Sequence, residues 1–381
     1  MRDYPLLDGL PVLLVHEPDR CRAFAASIRG REPRFVFVLG HTETSELEGI
    51  SAAGVSRELR KFTPAADAEV LLTGRPVCLT DVPSNPNGAP GPAIITRGAL
   101  RGAGIPAEVV DAGTSVRPAV PARRLSDSFG ACITTGRAVP HATELFHRGL
   151  AEGERLAALA GDAGALVVGE SVPGGTTTAL ALLVGLGIDA WGRVSSSMAA
   201  NAHDLKQRVV RTALAAAGLD RDESPPPAER DPLAVAAAVG DPMQPVVAGI
   251  VLGVAGRVPV LLAGGTQMTG VLALAAAVAT RRGDALDWRK IAIGTTCWVA
   301  RDRTADIAWL ASQIGPVPVL ASDLWLGDST RPGLREYEAF SVKEGVGAGG
   351  ACLAASLARG ASREQLTRWI EQAYDDLSRP L

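Results

Sequence analysis

The segment Ala165-Leu-Val-Val-Gly-Glu-Ser-Val-Pro-Gly-Gly-Thr-Thr-Thr-Ala-Leu180 joins a β-branched run to a glycine-rich turn and three threonines. It predicts a strand at 165–169, a turn at 170–175 and a helix at 176–186. Such a helix N-terminus offers backbone N–H groups and a favourable dipole to an anion, and threonine hydroxyls add donors. No Gly-Lys-Ser/Thr follows, so a phosphate monoester fits better than a triphosphate with magnesium. An ordinary strand-to-helix turn is the alternative.

The same alternation of strand and helix continues in both directions along the chain. Further β-branched runs predict strands at 11–16, 34–39, 93–96, 107–110, 258–263, 290–294 and 318–321. Alanine-rich helical stretches separate most of them, and most runs lack polar alternation, as expected for strands covered on both faces. We therefore predict an α/β fold with a doubly wound, mostly parallel, Rossmann-like sheet and a small helical annex.

Composition and charge exclude several classes of protein. Of the 381 residues, 47% are hydrophobic and 21% charged, which predicts a large buried core. A net charge of −3 without a Lys/Arg cluster argues against nucleic acid as a partner. The five cysteines form no CxxC pair and the histidines have no ligand spacing, so neither disulfides nor a metal site is expected. With no signal peptide and no span of bilayer length, we expect a cytoplasmic protein without membrane contact.

The chain is expected to form one large domain, residues 1–355, which holds the substrate site. Residues 356–381 are expected to form a C-terminal helix within the small annex. A Ser-x-x-Gln capping box begins this helix, and apolar residues recur in it at helical spacing: Leu366, Trp369, Ile370, Ala373, Tyr374 and Leu377. The helix should therefore dock on the body of the protein or on another subunit. Asp231 is expected to cap a helix that begins at Pro232.

A second glycine-rich cluster, Lys343-Glu-Gly-Val-Gly-Ala-Gly-Gly350, contains a literal GxGxxG pattern. A dinucleotide-binding interpretation fails because no second strand with a ribose-binding acid can be placed after it. Glu344 instead precedes a glycine-rich stretch that begins at Gly345. Because glycine has no side chain, a flat aromatic ligand can approach the carboxylate closely. Desolvation would raise its pKa and suit it to act as a general base. A surface glutamate beside Lys343 is the alternative.

Two further positions lie where open α/β sheets bind ligands, at the carboxyl ends of strands. Glu170 ends the strand 165–169, although an acid that merely favours the helix dipole would also stand there. Gly264 and Gly265 end the strand 258–263, although a purely structural turn is the favoured interpretation of this glycine pair taken alone.

These two clusters resemble the nicotinate-nucleotide:dimethylbenzimidazole phosphoribosyltransferases of cobalamin assembly, most closely the archaeal and cyanobacterial relatives. Residues 169–179 look like the family's Gly-Glu-x-x-x-Gly-Asn-Thr-Thr-Thr-Ala phosphate segment, with Gly175 in place of the asparagine. Residues 343–348 are similar to its Gly-Glu-Gly-x-Gly-Ala motif, in which the glutamate is the catalytic base. The two motifs stand in the family's order.

The resemblance implies transfer of ribose 5-phosphate from nicotinate mononucleotide to a lower-ligand base such as dimethylbenzimidazole, with release of nicotinate. It implies that Glu344 removes the N–H proton of the base and that Glu170 faces the ribose or pyridine. The implied phosphate site comprises Gly174, Gly175, Thr176, Thr177 and Thr178, with Lys206 at its side, and Gly264, Gly265 and Gly345 complete the predicted substrate site. It also implies a homodimer, with no cofactor. For Lys206, a solvated helix lysine is the alternative.

The acceptor base remains open at this stage. The family's aromatic-base segment is matched only partly by residues 49–56, so dimethylbenzimidazole, adenine or a phenolic acceptor are all compatible with the sequence. A nucleotide-binding sensor that keeps the phosphate site without a productive base pocket is the alternative function. A dinucleotide-dependent oxidoreductase rests on the 345–350 glycines alone.

Overall fold

A computed structural model describes residues 3–51, 53, 56–79, 88–196, 198–220, 225–254 and 256–378. Its sheet contains the strands Val12–His16 (β1), Glu32–Leu39 (β2), Ala107–Asp111 (β3), Ala122–Arg124 (β4), Gly164–Ser171 (β5), Val260–Ala263 (β6), Ile291–Thr296 (β7) and Val319–Ser322 (β8). Their order is β1-β8-β7-β6-β5-β2-β3-β4. β1 pairs antiparallel with β8, and the other neighbouring strands pair parallel. The predicted α/β fold is therefore confirmed.

Helices cover both faces of this sheet. They are Pro18–Ile28 (α1), Arg57–Arg60 (α2), Thr63–Thr73 (α3), Ala93–Ala103 (α4), Ala142–Ala160 (α5), Gly175–Gly185 (α6), His203–Ala217 (α7), Pro232–Val239 (α8), Met243–Val254 (α9), Thr266–Arg282 (α10), Cys297–Ala300 (α11), Ile307–Ser312 (α12), Pro332–Arg335 (α13), Ala348–Arg359 (α14) and Arg363–Ser378 (α15). The consecutive β5 residues Leu166, Val167 and Val168 are all fully buried. Because alternate strand residues point to opposite faces, such a run requires cover on both sides.

The strand predicted at 93–96 is wrong, because these residues form the first turn of α4. Ile94, Ile95 and Thr96 are all buried, and a short buried apolar run cannot distinguish a helix from a strand by periodicity. Strand β4, which the sequence did not predict, has three residues, two of them arginines.

The C-terminal helix α15 begins at the predicted capping box and docks on the body of the protein. The Ser362 N–H donates to Gln365 Oε1 at 2.9 Å, and the Gln365 N–H donates to Ser362 Oγ at 3.3 Å. The helix lies against α4, where a Cβ added to Gly98 would stand 2.7 Å from the Cα of Ile370. Docking on the body is therefore the alternative that the structure supports, while the division at residue 356 stays a prediction.

Replacing Gly98 with valine is expected to lower the free energy of unfolding by roughly 1–3 kcal/mol, as overpacking does in close-packed interiors. The added side chain would collide with the backbone of α15, which cannot move aside as a flexible side chain could. Urea denaturation measures the change, with Ala103→Val, at a partly buried position of the same helix, as the control. Equal stability of the two variants would contradict the close contact between α4 and α15.

Candidate functional site

A cleft opens at the carboxyl edge of the sheet, beside the junction of β2 and β5. From this junction the chain order runs through β3 and β4 in one direction and through β6, β7 and β8 in the other. Open α/β sheets bind ligands at such a switch point. The cleft encloses about 1020 Å³ including its mouth, and its wall includes the starts of α6 and α10 and the segment 342–346.

The structure brings most of the predicted site residues to this cleft. Those that line it are Glu170, Gly174, Gly175, Thr176, Gly265, Glu344 and Gly345. Four other predicted residues lie behind the wall, namely Thr177, Thr178, Lys206 and Gly264. The segments around Glu170 and Glu344 are more than 170 residues apart in the chain, and they meet because β5 and the turn before α14 end at the same edge. The structure therefore places both motifs at one cleft, and the two-part substrate site stays a prediction.

The three threonines at the start of α6 face different surroundings. Thr176 is partly exposed to the cleft. The Thr178 hydroxyl points inward and lies 2.5 Å from Oδ2 of the buried Asp241. The Thr177 hydroxyl is buried and has no hydrogen-bond partner among the described residues. Because the Gly175 N–H donates to the Val172 carbonyl at 2.9 Å, that amide is already engaged within the turn.

Gln267 packs against Gly175 and holds Glu170 in place. Its Nε2 donates to Glu170 Oε1 at 3.1 Å, while its Oε1 is buried without a partner among the described residues. A Cβ added to Gly175 would stand 2.8 Å from Gln267 Cδ, so the glycine makes room for the amide. The sequence offered no motif for Gln267 beyond its place at the start of α10.

Glu170 is 2% exposed and accepts a second hydrogen bond, from the Val172 N–H at 3.1 Å. Burial, and then the charges of Asp241 and Glu344, raise the pKa of Glu170 well above its usual range. Desolvation and nearby like charges both disfavour an ionised carboxyl. A cationic or hydrogen-bond-donating group beside Glu170 would favour its ionised form.

Glu344 stands at the N-terminus of α14 and faces the cleft. Its Oε1 accepts from the N–H groups of Gly345 at 3.1 Å and Gly349 at 3.3 Å, and Thr295 donates to its Oε2 at 3.2 Å. Burial raises the pKa of Glu344 to about 7 in spite of these donors. A carboxyl group with this pKa can take up a proton from a ligand near neutral pH.

Asp67, on α3, is a third carboxyl group in the cleft, and the sequence analysis missed it. Ser171, the last residue of β5, donates to Asp67 Oδ2 at 2.7 Å, and burial raises the pKa of Asp67 to about 7. The only signal in the sequence is an acid within the alanine-rich start of a helix, where nothing indicates a partner 104 residues away.

Two buried lysines lie in or behind the wall of the cleft. Lys343 lines the cleft, is 1% exposed, and lies 2.7 Å from Oδ2 of the buried Asp302. Lys206 is fully buried, which rules out the solvated-lysine alternative, and it donates to the carbonyl of Ser195 at 2.6 Å. Burial, and then the charge of Lys343, lower the pKa of Lys206 to about 7. Ser195, which covers Lys206, lines the cleft.

Part of the partial match at 49–56 also reaches the cleft. Ile50, Ser51 and Ala53 line it, whereas residues 52, 54 and 55 lie outside the described residues. Within the described ranges, no group of three or more His, Cys, Asp or Glu side chains could hold a metal ion. None of the helices in the described part of the chain is long and apolar enough to cross a bilayer.

Comparison with known proteins identifies the family. A family model described as Phosphoribosyltransferase matches residues 91–330. A UPF0284 protein of Gloeobacter violaceus is 46% identical over 375 residues, covering 97% of this chain and 95% of its own. One of Methanothermobacter thermautotrophicus is 44% identical over 352 residues, covering 92% and 94%.

Two solved structures share the fold. CobT from Thermus thermophilus has a TM-score of 0.56 at 20% identity, covering 95% of this chain and 92% of its own. A nicotinate-nucleotide-dimethylbenzimidazole phosphoribosyltransferase from the same organism has a TM-score of 0.55 at 21% identity, covering 92% and 91%. The family model and the two UPF0284 relatives confirm the resemblance inferred from the two motifs. The chain belongs to the nicotinate-nucleotide:dimethylbenzimidazole phosphoribosyltransferase family, among the relatives formed by the UPF0284 proteins of cyanobacteria and archaea.

Proposed function

We propose that this protein transfers ribose 5-phosphate from nicotinate mononucleotide to an aromatic nitrogen base and releases nicotinate. One observation carries the proposal: Glu344, with its raised pKa, shares a single cleft with two helix N-termini that can receive an anion. The substrates are those named for the Thermus thermophilus enzyme of the same fold. No cofactor is needed for this reaction, because a pyridinium is already a good leaving group.

The phosphate is proposed to bind between the starts of α6 and α10. Gly174, Gly175 and Thr176 border this region on one side and Gly265 on the other, and both helix dipoles favour negative charge there. Lys206 lies behind Ser195 with Lys343 and Asp302 as its charged neighbours. Because burial and the charge of Lys343 lower the pKa of Lys206 to about 7, a phosphate beside Ser195 would favour the charged form of this lysine.

Glu344 is proposed to act as the general base. As a ring nitrogen of the base attacks C1′ of the ribose, the N–H proton on its other ring nitrogen passes to Glu344. The C1′–N bond to the pyridinium breaks and its electron pair returns to the nicotinate ring. Glu170 is proposed to stabilise the positive charge that develops at C1′. Gly345 lines the cleft beside Glu344, and its missing side chain allows Pro92 to pack against it.

The test is incubation with nicotinate mononucleotide and a panel of aromatic bases, with free nicotinate and the new ribotide measured by chromatography. We expect nicotinate to appear only when a base is present, in equal amount to the new ribotide. Tight binding of nicotinate mononucleotide without release, for every base, would instead favour the second candidate, a nucleotide-binding sensor with the same phosphate site.

We also propose a homodimer, as the family resemblance implies. Helix α15 buries its apolar residues Leu366, Ile370 and Ala373 within its own chain, so this helix does not itself support the proposal. Light scattering coupled to size exclusion measures the mass directly against the 39.4 kDa of one chain.

A further inference from the structure

Asp67 offers a hydrogen-bond acceptor to the cleft that the chemistry described so far does not use. The Ser171 hydroxyl holds one of its oxygens, Oδ2, at 2.7 Å. For the other, Oδ1, no hydrogen-bond partner exists among the described residues. A carboxyl group carries two oxygens that each accept hydrogen bonds, so Asp67 can still receive a donor from a ligand in either protonation state.

Asp67 lies at the same end of the cleft as Glu344. The Pro90–Pro92 segment connects them: a Cβ added to Gly91 would stand 3.9 Å from Asp67 Oδ1, and one added to Gly345 would stand 2.7 Å from Pro92 Cγ. Burial, and then the charges of both Glu344 and Asp67, raise the pKa of Tyr337, which donates to the Pro90 carbonyl. The base that Glu344 deprotonates would therefore lie within reach of Asp67.

Other polar side chains border the same region. Thr63, on the same helix as Asp67, lines the cleft, and so do Ser51 and Ser171. A base with a purely hydrocarbon edge would displace water from Asp67 without replacing its hydrogen bonds. Leaving a buried polar group without a partner is unfavourable, and more so for a carboxyl group.

We infer that Asp67, oriented by Ser171, selects an acceptor base that carries an N–H donor on its outer edge, as an aminopurine does, over one edged with methyl groups. The inference rests on the proposed transfer reaction and concerns its acceptor. An exocyclic amine would donate to Oδ1, while the reacting ring nitrogens lie toward Glu344 and the ribose.

The experiment compares adenine with purine, which has the same skeleton without the amine, and with dimethylbenzimidazole. With the wild-type protein and nicotinate mononucleotide, kcat/KM should be about 10- to 100-fold higher for adenine than for either other base. Asp67→Leu should bring the ratio of kcat/KM for adenine to that for purine down to about one, because neither base then meets an acceptor at this position. Asp67→Asn, which keeps an acceptor oxygen, should keep part of it. Asp189→Leu, at an exposed position, is the matched control and should leave all three values unchanged.

Two outcomes would overturn the inference. One is a wild-type protein that uses dimethylbenzimidazole or purine as well as adenine. The other is an equal loss for all three bases in Asp67→Leu with a raised KM for nicotinate mononucleotide, which would assign Asp67 to the ribose. Calorimetric binding of adenine and purine to the same variants measures the preference without turnover. Absence of nicotinate release with a preserved adenine preference would therefore reject the transfer reaction alone.

Discussion

Nicotinate release by Glu344→Gln is expected to be slower than that of the wild-type protein by on the order of 10²- to 10⁴-fold, the range for loss of a general base. The amide keeps the shape of the side chain and can still accept from Gly345 and Gly349, but it cannot take the proton of the incoming base. Binding of nicotinate mononucleotide should change little, since Glu344 is not proposed to hold the phosphate. Single-turnover kinetics and calorimetry measure the two quantities.

The pH profile separates a base from a merely structural glutamate. Because burial raises the pKa of Glu344 to about 7, the ionised form that accepts a proton is lost as pH falls through 7. The wild-type kcat/KM should therefore drop about tenfold per unit below that pH. The residual activity of Glu344→Gln should lack this limb. Glu364→Gln, at an exposed position of α15, is the matched control, and unchanged turnover in Glu344→Gln would remove Glu344 from the mechanism.

Lys343→Met is expected to lower the free energy of unfolding by about 3–5 kcal/mol, the usual cost of removing one partner from a buried ion pair. The Lys343 ammonium lies 2.7 Å from Asp302 Oδ2, and both side chains are almost fully buried. Although burial raises the pKa of Asp302, hydrogen bonds led by Lys343 lower it to about 2, so the carboxylate would be left charged beside a methionine. Chemical denaturation measures the change.

A double variant tests whether the unpaired charge is the cause. Lys343→Met combined with Asp302→Leu should recover much of the lost stability, because a buried pair replaced by apolar side chains is often close to neutral. Lys290→Met is the control, since that lysine is partly exposed and donates only to backbone carbonyls. A single variant as stable as this control would mean that Asp302 finds another partner or is protonated.

The sequence predicted a strand or helix correctly where all the signals for it lie within one short segment. The strand and helix around 165–180 were predicted to within two residues, because a buried β-branched run and a glycine-rich turn both lie within one segment. The residues at 93–96 failed because apolarity alone does not fix the period. Local signals therefore distinguish a strand from a helix only where turn residues bound the segment.

Candidate site residues could be predicted where they belong to a sequence motif. They could not be predicted where their surroundings come from distant segments of the chain. Glu170 and Glu344 each belong to a motif, and both reach the cleft. Lys206 lies behind Ser195 and close to the charge of Asp302, and Asp67 is oriented by Ser171. These contacts join different segments of the chain, so no local sequence pattern contains them. The division of the three threonines follows from helix geometry, because successive helical residues point about 100° apart.

The contact between Gly175 and Gln267 predicts that these two positions change together among related proteins. A side chain at 175 would displace the Gln267 amide that now donates to Glu170. Relatives that carry the asparagine of the resembling motif at 175 should therefore carry a smaller residue at 267, and the two positions should change together. In such relatives the amide beside Glu170 would come from α6, whereas in this protein it comes from Gln267 on α10.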